Sequence, residues 1–136
     1  GVTESVGRMM KAVDEERMAI AEALGVKIMS EPETGFVQGY MTEKNYDTGY
    51  SKAPGFKGIY AQTQVDYRYL TEDVGFGLVL LTDMAKVVDV KTPVMDAIVT
   101  LVSVILERDY KKEGLRTLAT FGLNGLSKSQ LIESVV

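Results

Sequence analysis

Hydrophobic side chains recur along most of this chain at three- and four-residue spacing, the period of an α-helix with one buried face. Val6, Met9, Met10, Val13, Ile20 and Leu24 form the first such stripe. Thr3 is a suitable N-cap before it and Gly25 a suitable stop after it, so a helix is predicted from Thr3 to about Leu24. Arg17 falls in the middle of the stripe. A cation there either lays its methylenes along the apolar surface or pairs with a carboxylate. An unpaired buried guanidinium would be very costly, so a partly buried Arg17 paired with an acidic side chain from outside its own helix is expected.

Ser30, with Pro32 soon after, signals a second helix, weakened by Gly35 and Gly39, with Phe36, Val37, Tyr40 and Met41 as its buried face. From Asn45 to about Thr63 the pattern dissolves into Gly49, Pro54, Gly55 and Gly58, interleaved with Tyr46, Tyr50, Phe56 and Tyr60. So aromatic a loop packs against something, either as a plain Ω-loop or as a lid over a substrate. Leu78, Leu81, Ala85 and Val88 begin the next stripe, broadened by Leu80, Met84 and Val87. A helix this broad in a piece this short is expected to leave an apolar patch uncovered.

Thr92-Pro93 then opens the most apolar helix, Pro93 to Glu107, whose polar residues Asp96, Thr100, Ser103 and Glu107 fall in one narrow row. An apolar surface that wide predicts cover on several sides, and so a central helix. Its polar row is either a solvent strip or the wall of a cleft. Asp109 can cap a helix through Arg116, Leu118 and Phe121, closed by Gly122. Ser127 and Gln130 form a capping box for a last helix, Lys128 to about Val135. Only Gly58 to Tyr67 hints at a strand. The reading is one all-α domain over residues 1–136, with about six helices packed round residues 93–107.

Composition narrows the chemistry. The 136 residues are 46% hydrophobic, a globular composition, and carry a formal charge of −4, which argues against a nucleic-acid partner. There is no cysteine and no histidine, hence no thiolate nucleophile, no zinc ligand set of the usual kind, and no imidazole for acid–base work. The most apolar helix is too short and too striped to span a membrane. The chain opens at Gly1 with no signal-peptide pattern, so it reads as a processed, truncated or recombinant piece. Gly75-Phe76-Gly77 is no dinucleotide fingerprint, because no strand precedes it and the third glycine is missing.

One polar constellation stands out just before the third stripe: Arg68, Glu72 and Asp73. Arg68 and Glu72 share a helical face, whereas Arg68 and Asp73 would diverge by roughly 140°. Thr71 as an N-cap would turn the backbone between them and leave Glu72 and Asp73 in a first helical turn. Two readings stand: an ordinary helix start with a surface ion pair, or a polar site.

The same stretch carries a resemblance. The run Arg68-Tyr69-Leu70-Thr71-Glu72-Asp73-Val74-x-Phe76-Gly77-Leu78-Val79, with Val90-Lys91-Thr92-Pro93 and Asp96, resembles the C-terminal helical domain of the octopine/nopaline (opine) dehydrogenases. So do Gly1-Val2-Thr3-x-Ser5-Val6-x-Arg8, Asp14-x-Glu16-Arg17-x-x-Ile20-Ala21-x-x-Leu24-Gly25, and the later Arg108-Asp109-Tyr110, Gly114, Arg116-Thr117-Leu118 and Gly122-Leu123. The resemblance implies a helical domain like the C-terminal domain of 6-phosphogluconate dehydrogenase. It implies a substrate-binding part of an enzyme that condenses an amino acid with a 2-oxo acid and reduces the imine with NAD(P)H. In that family the nucleotide belongs to an N-terminal Rossmann domain, and the catalytic histidine lies just upstream of Gly1; this chain contains neither. By position, Arg68 resembles the residue that holds a substrate carboxylate; Glu72 is a further candidate for substrate binding. Asp73 resembles the catalytic-site aspartate that orients and charges the histidine. The family usually has proline where this chain has Gly75.

The resemblance further implies amino-acid and 2-oxo-acid substrates, a Rossmann-domain partner, a homodimer and a cytoplasmic setting, with no cofactor or metal held by this chain itself. The alternative is a non-catalytic helical dimerisation or binding module that keeps the fold.

Overall fold

Thr3 opens the longest helix, α1 (Glu4–Ala23), by accepting a hydrogen bond from the Val6 N–H at 3.4 Å. Gly25 ends it in the left-handed region, φ +75°, which glycine adopts without steric cost. The computed structural model describes residues 2–134, and these contain helices and turns but no strand, so Gly58 to Tyr67 is not one. The all-α reading holds.

Ser30 starts α2 (Glu31–Val37) through the reciprocal capping box with Glu33. The expected buried face is found only at Met41, 4% exposed; Phe36, Val37 and Tyr40 lie at 43%, 66% and 56%. The helix is too short to present a stripe, and the chain reverses at Gly39, φ +80°, so that Met41 alone turns inward. The following loop divides. Its first half packs around a single helical turn, α3 (Thr48–Ser51), and Glu43 gathers it by accepting from Thr48, Asn45 and Lys52. Those bonds, the Thr48 hydroxyl foremost, hold the Glu43 carboxyl down to about 2. Its second half, after the short turn Pro54–Phe56, lies exposed, with Tyr60 at 85%.

A continuous helical rod follows: α4 (Arg68–Thr71), a π-helical stretch (Asp73–Leu78) and α5 (Val79–Val87). Then comes α6 (Pro93–Ile105), which touches α1, the π stretch, α5 and α7 (Tyr110–Glu113). Val74, Val79, Val99, Val102 and Tyr110 form one core cluster, and Ile20, Ala85 and Val88 another.

Although α6 is central in these contacts, it is not covered on several sides. Met95, Val99 and Val102 are buried, while Leu101, Val104 and Ile105 are 61%, 73% and 57% exposed. The uncovered apolar patch therefore lies on α6 rather than on α5. Its polar row contributes to a cleft wall: Thr100, Ser103 and Glu107 line a shallow depression with Arg108, Asp109 and Lys111. Asp109 caps α7 as expected, accepting from the Lys112 N–H at 3.1 Å. The helix stops at once, however, because Gly114 takes the left-handed conformation, φ +54°. The predicted helix to Phe121 is thus one turn, a loop, and a 3₁₀ turn at Ala119–Phe121. The Ser127–Gln130 box starts α8 (Lys128–Ser134); Val135 lies outside the described residues.

The start of α6 departs from its expected cap. The Thr92 hydroxyl donates to Asp96 Oδ2 at 3.1 Å and makes no capping bond to the backbone. The cap comes from α1: Glu16, 9% exposed, accepts from the Val94 N–H at 2.7 Å and the Met95 N–H at 2.9 Å. A carboxylate at a helix N-terminus satisfies orphan donors and meets the positive end of the dipole. Glu16→Ala should therefore cost about 2–6 kcal/mol, since two donors are orphaned and each costs about 1–3 kcal/mol. Glu16→Gln, which keeps an acceptor, should cost clearly less. Equal losses for the two variants in denaturant unfolding would show that volume, not capping, is what Glu16 supplies.

Candidate functional site

The π stretch positions the candidate residues. Thr71 is not an N-cap: it ends the α4 turn, its hydroxyl 3.4 Å from the Tyr67 carbonyl. The backbone instead turns because the Glu72 carbonyl accepts from both the Phe76 N–H, at 2.8 Å, and the Gly77 N–H, at 3.3 Å. The second bond is the i→i+5 pattern of a π-bulge, which widens the helix and is frequent at functional sites.

Glu72 and Asp73, both exposed, line an open groove of about 500 Å³ together with Phe76, Gly77 and Arg116. Arg68 is not among the lining residues. Its Nε lies 3.6 Å from Glu72 Oε2, and its guanidinium 5.8 Å from the Tyr69 ring centroid. The structure thus joins Glu72 to both candidate partners and keeps Arg68 out of the groove that Asp73 lines.

Arg116 was missing from the sequence-based candidates because a helix through residue 116 would have carried it elsewhere. The break at Gly114 places it in the groove, its guanidinium 5.5 Å from the Phe76 ring centroid. The chain just after it is tied down. The Leu118 N–H donates to Asp83 Oδ2 on α5 at 2.9 Å, and the Thr120 hydroxyl donates to the Thr117 carbonyl at 2.7 Å. A glycine inside an otherwise helical pattern was the available signal.

Gly75 is a point of close approach between the π stretch and α7. A Cβ on it would come within 2.9 Å of two ring carbons of Tyr110, whose side chain is wholly buried, and 3.4 Å from Leu115 Cδ1. The missing side chain lets α7 and the Arg116 loop close against the π stretch. Any side chain at position 75 would push on the backbone that carries Asp73.

A second polar centre, which spacing did not single out, lies at the mouth of a largely apolar cavity of about 410 Å³ between α1, the π stretch and α6. Asp14 is its hub. With its side chain 3% exposed, it accepts from Arg17 Nε and Nη2, both at 2.7 Å, from the Glu31 N–H at 2.8 Å and from the Tyr46 hydroxyl at 2.7 Å. Burial, reinforced by the Asp14 carboxylate, pushes the Tyr46 hydroxyl well above the ordinary tyrosine range. Arg17 is partly buried as expected, 27% exposed, but its main partner belongs to its own helix. Asp14 stands one turn away on the same face, whereas Glu31, the carboxylate outside α1, is 3.9 Å distant. The Met29 carbonyl accepts a further Arg17 bond at 2.8 Å.

Comparison with known proteins agrees with this architecture. The family model described as NAD/NADP octopine/nopaline dehydrogenase, alpha-helical domain, matches residues 1–106. An opine dehydrogenase of Arthrobacter sp. strain 1C is 35% identical, covering 99% of this chain and 37% of that protein. Protein ocs of Agrobacterium tumefaciens strain Ach5 is 30% identical, over 91% of this chain and 34% of its own length. A vitopine synthase of Allorhizobium ampelinum is 32% identical, over 93% of this chain and 35% of its own length. The chain therefore spans roughly a third of each of these relatives. With most of its length matched in order, this chain belongs to the alpha-helical domain family of the NAD/NADP octopine/nopaline dehydrogenases.

Proposed function

We propose that this chain is a single domain that binds substrate in an NAD(P)H-dependent opine dehydrogenase, an enzyme joining an amino acid to a 2-oxo acid. The observation that carries the reading is the groove at the π stretch, where Glu72 and Asp73 lie side by side within the family-matched span. Gly75 and Gly77 belong to the π helix and form no phosphate-binding turn. The nucleotide is assigned to a Rossmann domain outside this chain.

The proposed roles follow from chemistry. Arg68 grips a substrate carboxylate with its two-pronged guanidinium, and Glu72 sets the aim of that guanidinium through their contact. Asp73, free of any ion pair among the described residues, is open to accept the N–H of a histidine from outside the chain. The exposed Leu101, Val104 and Ile105 face of α6 offers a surface for the Rossmann domain or a second subunit. No helix among the described residues is long and apolar enough to cross a membrane, and we place the enzyme in the cytoplasm.

The test is reduced-nicotinamide oxidation by the complete protein with amino acids and 2-oxo acids supplied in pairs. Turnover that requires both partners is expected. The isolated chain should show neither turnover nor micromolar affinity for NADH or NADPH in calorimetric titration. The uncovered α6 face also favours a second reading, a non-catalytic dimerisation or binding module. A complete protein without a nucleotide fingerprint and without a histidine ahead of Gly1, inactive on every pair, would establish that reading instead.

A further inference from the structure

We infer that Arg116 is a second carboxylate anchor of the substrate site, holding a different carboxylate from the one assigned to Arg68. The inference rests on the function proposed above and concerns how two acids share one site. An amino acid and a 2-oxo acid each bring a carboxylate, and the product that joins them carries both. A carboxylate that leaves water for a groove already lined by Glu72 and Asp73 meets like charge, so it needs a cation of its own.

Arg68 cannot serve both acids. It lies outside the groove and is drawn to Glu72 at 3.6 Å. Among the described residues, Arg116 is the only cation that lines the groove, and it makes no ion pair there. Its guanidinium lies over the Phe76 ring, 5.5 Å from the centroid, and is exposed, so its N–H groups are open to bind a carboxylate with two parallel bonds. Its loop is fixed to α5 by the Leu118–Asp83 bond, which anchors the backbone two residues from the cation. Glu72 thus stands between the two cations, in contact with Arg68 and in the groove with Arg116, while Asp73 shares the groove with Arg116 only.

Steady-state kinetics of the complete enzyme, with each acid varied while the other is saturating, test this. Arg116→Lys keeps the charge and removes the fork; Arg116→Met removes both. Each variant should raise the KM of one acid by about ten- to a hundredfold, the loss of a charge-assisted bond, while the KM of the other acid and the melting temperature stay unchanged. Arg68→Lys should raise the KM of the other acid. Replacing the affected substrate by its carboxamide should weaken the wild-type enzyme by a similar factor and the Arg116→Met enzyme hardly at all. An active, folded Arg116→Met enzyme with both KM values unchanged overturns this inference and leaves the proposed function standing. A complete protein that turns over no pair of acids removes both.

Discussion

Asp14→Ala is expected to cost about 3–5 kcal/mol, the usual penalty for removing one member of a buried ion pair. The carboxylate is almost fully buried and ties three separate pieces of chain together: Arg17 of α1, the Glu31 N–H at the start of α2, and the Tyr46 hydroxyl of the loop before α3. Without it, the Arg17 guanidinium keeps only the Met29 carbonyl and a carboxylate at 3.9 Å, while two further donors lose their acceptor. Such a loss is a large fraction of the stability of an ordinary domain. Asp14→Asn, which retains one acceptor oxygen, should cost less, whereas Arg17→Met should also be costly, because it leaves the more deeply buried Asp14 carboxylate without its counter-charge. Urea unfolding of the three variants decides the matter, with m-values checked for constancy. An Asp14→Ala midpoint within about 1 kcal/mol of the parent would mean that the network contributes nothing net.

The contrast between what the sequence showed and what it hid follows from range. Signals acting within four residues read correctly: the Thr3 cap, the Ser30–Glu33 and Ser127–Gln130 boxes, and Asp109 before α7 each make the bond their spacing implies. Glu16 caps a helix 78 residues further along the chain, and no local pattern marks it. For the same reason Thr92 was the natural candidate for a cap it does not make. Apolar breadth also misled. It tells what α6 could bury, not which neighbours exist to bury it, and Leu101, Val104 and Ile105 stay exposed. The site was half legible. Arg68, Glu72 and Asp73 could be singled out, but not the π stretch that begins at Asp73, whose Gly75 packs closely on Tyr110 from a later element. Arg116 came into view only once the helix was seen to break at Gly114.

In the complete enzyme, Asp73→Asn should lower kcat by about 10²–10⁴-fold, the range for help with proton transfer. Arg68→Lys should mainly raise the KM of one acid. The two differ because the two side chains face different partners. Arg68 projects from the α4 turn toward Glu72, where a guanidinium can grip a carboxylate with two parallel bonds that an ammonium cannot copy. Asp73 lines the groove beyond the π turn, where we assign it the histidine: accepting its N–H fixes the tautomer and stabilises the imidazolium. Asn keeps the shape and loses the charge, so the imidazolium loses its counter-charge while substrate binding is spared. If both residues merely shaped the start of the rod, each variant would lose stability and the folded fraction would keep normal kinetics. Neither residue is buried, which makes a large stability loss unexpected for either. Rates with each acid varied, measured beside thermal melts and across pH, separate the cases. A shifted pH profile with reduced kcat is the expected signature for Asp73→Asn, and an Asp73→Asn enzyme with unchanged kcat, KM and pH profile would refute the assignment.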